Sequence, residues 1–275
     1  MNAQYTKAGK DAFESPTFVN RVKSMLKLDF YRLFHTPAFY IMLAVAAIIP
    51  AMIIGTSGMD PQGASSGSPG HSTAPAASAV EFTNVWQLVE STGGSAVADD
   101  PLDFAGFANI NMLFIFAGLL MAIFVAHDYS SGFVKNIFTV HSKKTDYVIS
   151  KSAAGVFGGA GMIITYVAGA VVAGLLTGKA FDVNLSGLVL CLISKMFLMG
   201  VFCSLFLGIA VFFRNKLWLT IVFTFLFGMM LYPAASVATL SSTVITAVLT
   251  LAAGLIGAGV FGLISGSILN KRDLA

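Results

Sequence analysis

Residues 127–151 read HDYSSGFVKNIFTVHSKKTDYVISK, a polar and basic island between two long apolar runs. Inside it, Phe133, Val134, Ile137 and Phe138 fall at i, i+1, i+4 and i+5 and so share one face of a helix. Lys135, Asn136 and Thr139 lie off that face. Ser142 to Lys144 break the pattern and add positive charge, and Tyr147 to Lys151 lead straight into the next apolar run. A short amphipathic helix tied at both ends to membrane spans can transmit motion, because a force on it moves both spans. An ordinary loop with solvated lysines is equally compatible with this stretch alone.

The rest of the chain makes the flanking runs membrane spans. Hydrophobic residues are 56% of the sequence and charged residues 11%, with a mean hydropathy of +0.82. A soluble domain carries about twice that share of charge. In lipid the backbone must satisfy its own hydrogen bonds, by a helix or a closed barrel. The apolar runs are long and continuous, which selects helices over alternating barrel strands. Cys191 and Cys203 lie on one predicted helix. They are about 18 Å apart at 1.5 Å per residue, too far to bridge.

The expected fold is therefore all-α: a polytopic membrane protein with spans at about 37–57, 104–126, 151–177, 185–213, 217–240 and 244–270. Pro50 and Pro233 should bend the first and fifth. Residues 1–36 form an N-terminal segment, beginning with a polar stretch that reads as disordered and carries no signal-peptide pattern. Ser15 and Pro16 read as N-cap and first helical residue. Val22, Leu26, Phe30 and Leu33 then recur at helical spacing, bordered by Lys23 and Lys27 on one edge and Arg21 and Arg32 on the other. Asp29 falls within this stripe and weakens it. The pattern suits a helix lying in the membrane interface, or a solvated helix packed on another subunit.

Residues 58–103 form the long loop. Its first part, GMDPQGASSGSPGHSTAPAAS, has a flexible linker composition. A short helix over Val80 to Val89 would place Trp86 at the membrane interface. Asp99, Asp100 and Asp103 close the loop, which contains no lysine or arginine. Basic residues cluster instead in the N-terminal segment, the island 127–150 with Lys151, the turn 214–216 and the tail 271–275; Lys179 is the lone dissenter. The positive-inside rule then puts both termini and the island in the cytoplasm and residues 58–103 outside.

No catalytic constellation is legible: neither H-E-x-x-H nor G-x-S-x-G occurs, and the histidines lack metal-ligand spacing. GLLTGKA at 174–180 lacks the full phosphate-loop spacing and the hydroxyl residue after lysine. The chain is expected not to be an enzyme and to hold no cofactor or metal of its own. No nucleic-acid partner is expected; membrane lipid is. Lys195 is an intramembrane charge that must face the bundle, a partner or a water-filled cavity, or else snorkel outward. Asp128 reads as an interfacial charge and not as a proton carrier. Asn109 and Asn111 either line a polar pathway or bond between helices. Gly155 with Gly159, and Gly254, Ala258, Gly262 and Gly266, recur every fourth residue and mark helix contacts.

These features together resemble the membrane (permease) subunits of type-2 ATP-binding-cassette exporters, which include bacterial drug and peptide-antibiotic exporters. The resemblance covers nearly the whole chain. It rests on LKLDFYRLFHTPAFY at 26–40, similar to the family's interfacial connecting helix, on the large loop after the first span, on the six-span count and on the island. There Asp128, Gly132, Lys135, the apolar Ile137-Phe138 and Lys151 resemble the family's acidic-glycine-basic segment. The short hydroxyl-rich link between spans five and six departs from members with a larger external helix pair.

The resemblance implies that 127–150 is a coupling segment docking on a separate cytosolic ATPase, which holds the ATP and magnesium. Phe133, Lys135, Ile137 and Phe138 would carry the docking. It also implies a second six-span chain, as homodimer or heterodimer, in a bacterial cytoplasmic membrane. The expected function is outward transport of an amphipathic or hydrophobic substrate: drug, peptide antibiotic or lipid. The alternative is a membrane anchor or sensor whose outward loop binds a ligand.

Overall fold

Apolar runs with no solvent to satisfy their peptide groups close their hydrogen bonds within themselves, and every long element here is a helix. The computed structural model describes residues 17–56, 84–89, 109–139, 143–213, 216–235 and 237–271. In chain order the helices are α1 (Phe18–Phe34), α2 (Pro37–Thr56), α3 (Met112–Ser130), α4 (Phe133–Thr139), α5 (Lys144–Thr177), α6 (Leu185–Phe213), α7 (Leu217–Ala235) and α8 (Val244–Lys271). Helices α2, α3, α5, α6 and α8 are long and apolar enough to cross a membrane. The protein is membrane-embedded, and among the described residues its architecture is all-helical.

Local chemistry sets the joints. Helix α1 ends at His35, whose ring stacks on Tyr31, and Pro37 opens α2 at the one helical position where a missing N–H costs nothing. Gly132, at φ 71°, takes the left-handed conformation that stops α3 and turns the chain into α4. Gly178, at φ 66°, ends α5 with its N–H on the Gly174 carbonyl.

Several boundaries differ from expectation. The second span's helix begins at Met112, because the Asn109 side chain accepts from the Asn111 N–H and holds a turn; residues 104–108 lie outside the described residues. It continues to Ser130, past the expected end at 126. Helix α5 begins at Lys144 and not at Lys151, since no glycine or proline intervenes to break it. Helix α7 ends at Ala235 and not near Leu240, two residues after Pro233; its apolar stretch Leu217–Leu231 is shorter than the other five. At the N-terminus Thr17 takes the N-cap position, while Ser15 and Pro16 lie outside the described residues. So do the loop 58–83 and 90–103, the tail 272–275, and Arg214 and Asn215.

Helix α3 is the axis of the bundle. In its apolar window 61% of the residues are buried, against 22% in α2 and 17% in α8. It touches α2, α5, α6 and α7, while α6 and α8 form the most extensive pair. The small-residue rows do mark contacts: a Cβ at Gly155 would meet Met121, one at Gly159 would meet Met199, and one at Gly254 would meet the Phe197 carbonyl. Gly266 is not part of such a contact.

The end of the bundle away from α1 is capped by a single 3-10 turn, Val85–Leu88. Asn84 accepts from Trp86 N–H and pairs with Ala180 in an isolated bridge, while Val85 N–H donates to the Ala180 carbonyl at 3.0 Å. Trp86 is not an interfacial anchor. Its ring is buried edge-on to Phe181, and its indole N–H donates to the Phe181 carbonyl. Once that polar handle has a protein partner, nothing holds the indole at a lipid headgroup.

A close backbone approach between α2 and α5 gives a test. A Cβ at Gly169 would meet the Ala47 carbonyl of α2, whereas Gly259 on α8 faces open space. Gly169→Ala should cost about 1–3 kcal/mol through overpacking, while Gly259→Ala should be neutral or stabilising by up to about 1 kcal/mol. Thermal unfolding of both variants in detergent checks this; equal shifts would show that α2 and α5 do not approach so closely.

Candidate functional site

The basic end of the bundle holds a network of buried charges. Helix α1 presents Met25, Asp29 and Leu33 at i, i+4 and i+8, and all three are buried. Asp29, expected as a flaw in an apolar stripe, is the polar centre of the buried face. Opposite it, Lys151 projects from the second turn of α5, and Asp128 from the last turn of α3. The Lys151 ammonium is shared: Nζ lies 2.6 Å from Asp29 Oδ1 and 2.7 Å from Asp128 Oδ2. All three side chains have zero solvent exposure. Asp128 Oδ1 is held in turn by Arg32 Nη1 at 2.6 Å, and Asp128 Oδ2 accepts from the Tyr147 hydroxyl at 3.1 Å. The Ser150 hydroxyl donates to Asp29 Oδ2 at 2.5 Å. One turn earlier on α5, Asp146 takes Arg21 Nε at 2.9 Å.

The charge balance is complete: Asp29, Asp128 and Asp146 face Arg21, Arg32 and Lys151. Aromatic faces line the cations. Lys151 Nζ sits 3.6 Å from the Phe124 ring centroid, and the Arg32 guanidinium 3.9 Å from that of Phe133. Such faces attract cations and exclude water, which strengthens each ion pair. With each acid matched by a base, the pairs tie α1, α3 and α5 to one another. Among the described residues no group of His, Cys, Asp or Glu side chains could hold a metal.

Helix α4 is fastened into this network. Phe133 supplies the face on which Arg32 lies, Val134 is buried, and Phe138 packs edge-on to Tyr147 at 5.8 Å. Ile137 and Phe138 pack against the chain's own core. The apolar face read from the sequence as a docking knob is therefore turned half inward, and Lys135, Asn136 and Thr139 are the exposed residues. Asp128 is a buried hub and not an interfacial charge.

Lys195 lies far from this network and does not snorkel. It is fully buried; Nζ donates to Asn111 Oδ1 at 2.8 Å and to the Ala235 carbonyl at 3.3 Å. It thus joins the start of α3 to the end of α7. Asn109 does not reach Lys195 directly but orders the turn on which Asn111 sits. Of the expected site residues, the structure brings Phe133 together with Asp128 through Arg32, and Lys195 together with Asn111. Sequence reading missed Asp29, Arg32, Tyr147 and Ser150 as site residues. The signal available was a lone acid in the middle of an apolar stripe on an otherwise basic segment.

Removing Lys151 would leave two buried carboxylates sharing too little positive charge. Lys151→Met should cost about 3–5 kcal/mol. Adding Asp29→Asn and Asp128→Asn to it should restore part of that loss. Chemical denaturation of the single and triple variants reads both; a single variant as stable as the parent would mean the charges are solvated.

No family model matches this chain, and no curated protein or solved structure matches it.

Proposed function

We propose that this chain is the permease subunit of an ATP-binding-cassette exporter, moving an amphipathic or hydrophobic substrate outward with ATP hydrolysed by a separate cytosolic subunit. One observation carries the reading. The short helix α4, between two membrane-crossing helices, is tied to both of them and to α1 through Arg32, Asp128 and Lys151. A subunit pushing on α4 would therefore move α1, α3 and α5 together. Nothing in a passive loop requires buried ion pairs between three helices.

In this reading α7 also crosses the membrane, as the fifth of six spans, shortened by its Pro233 end, and both chain termini lie in the cytoplasm. Two such chains form the pathway, and the partner ATPase carries ATP and magnesium. The exposed residues Lys135, Asn136 and Thr139 meet the ATPase first, with Phe133, Ile137 and Phe138 stiffening the helix from behind.

Orientation is testable with Asn136→Cys and Ser241→Cys, both exposed sites, since Cys191 and Cys203 are buried. On intact cells an impermeant thiol reagent should label position 241 and spare position 136. The opposite pattern would invert the topology and put α4 out of reach of any cytosolic ATPase.

Docking is tested by tagging the chain in its native membrane and assaying the purified complex for ATP hydrolysis. An ATP-hydrolysing subunit should copurify. The paired change Lys135→Glu with Asn136→Trp should remove it, by at least about tenfold as expected for a disrupted interface anchor, without shifting the unfolding midpoint. If no hydrolysing partner is captured with the parent chain, the anchor or sensor reading takes precedence.

A further inference from the structure

The Lys195 ammonium is the one buried cation in the described bundle that faces no carboxylate within ion-pairing distance. Its acceptors are both neutral: the Asn111 amide oxygen and the Ala235 carbonyl. Each lies at a helix end. Ala235 is the last residue of α7, whose C-terminus carries about half a negative charge, and Asn111 precedes α3, whose N-terminus carries about half a positive one. The two ends cancel, and among the described residues no carboxylate offsets the charge of the ammonium. The same amide carries a second unmet need. Asn111 is 1% exposed, and its Nδ2 has no acceptor among the described residues. An ammonium with a proton to spare and an amide N–H without a partner thus sit side by side.

We propose that Lys195 and Asn111 bind a small monovalent anion, a halide or a carboxylate, between the start of α3, the body of α6 and the end of α7. One anion answers both deficits: it neutralises Nζ and accepts from Nδ2. Hydration alone would satisfy the hydrogen bonds but not the charge. The site is independent of the fastening at the basic end, where acids and bases already balance.

The test is the unfolding midpoint of the purified full chain in detergent, with sodium gluconate, whose six-carbon polyol chain is too bulky for so buried a site, exchanged for sodium chloride or sodium acetate at constant ionic strength. Chloride, acetate or both should raise the midpoint saturably, by about 3 °C or more, as a ligand of the native state does. Comparing the two salts tells a halide site from a carboxylate site. Lys195→Gln should abolish the response. Asn111→Asp places a carboxylate 2.8 Å from Nζ, where the amide oxygen now lies. It should raise the midpoint in gluconate and remove the anion response, because the counter-ion is then built in. The proposal is overturned if the parent chain has the same midpoint in all three salts. It is also overturned if Lys195→Gln keeps the response, or if Asn111→Asp lowers the midpoint in gluconate.

Discussion

A single ammonium shared by two carboxylates sets the geometry of the basic end. Lys151 comes from α5, Asp29 from α1 and Asp128 from α3, and none of the three reaches solvent. Burying any one of them alone would cost several kcal/mol, so none can be placed without the others. This makes the arrangement selective as well as stable. Turning α1 by one residue, about 100°, would replace Asp29 with Leu28 or Phe30, strip Lys151 of one of its two carboxylates and press an apolar side chain against the ammonium. The apolar neighbours Met25 and Leu33 tolerate such a slip far better, because hydrophobic contacts are not directional. The ion pair fixes the rotation of the helix, and apolar burial supplies most of its adhesion.

Lysines solve a second problem, that of helix ends in a medium without water. The last carbonyls of a helix have no intrahelical donor, and in lipid no solvent replaces it. Lys144 of α5 donates to the Leu269 carbonyl near the end of α8 at 2.7 Å, and Lys195 of α6 donates to the Ala235 carbonyl at the end of α7. In both cases a cation from one helix meets the negative end of another. The bundle is thus tied at opposite ends by the same device, while its middle is held by glycine-mediated contacts such as Gly155 on Met121 and Gly159 on Met199.

The elements were legible from the sequence because lipid forces long apolar runs into helices, and length alone then places them. Boundaries were less so. Hydropathy marks where a helix leaves hydrocarbon, not where its hydrogen bonds stop, and α5 continues through polar residues to Lys144. The site was half legible. Periodicity put Phe133, Val134, Ile137 and Phe138 on one face, and they share it; it could not say whether that face looks toward the chain or away. Asp29 and Lys151 are 122 positions apart by their numbers. No local pattern pairs residues so distant, and Asp29 reads as a blemish until α1 is laid against α5. Lys195 was visible as a charge in a span, but its partners depend on where the Asn109–Asn111 turn falls.

The inward turn of α4 bears on how it could pass a force. A knob that only projected outward would be coupled to the bundle through its two hinges, one of them at Gly132. Here Arg32 is held from two sides, by the Phe133 ring at 3.9 Å and by Asp128 Oδ1 at 2.6 Å. Displacing α4 therefore either drags Arg32, and α1 with it, or pulls the guanidinium off a buried carboxylate. The second course is the costly one, since it strands a charge. A stiff link of this kind moves as a body or breaks at one step, and packed interfaces behave in that bistable way more readily than they deform. If α4 is driven by a partner, the response should be a rigid displacement of α1 together with the ends of α3 and α5.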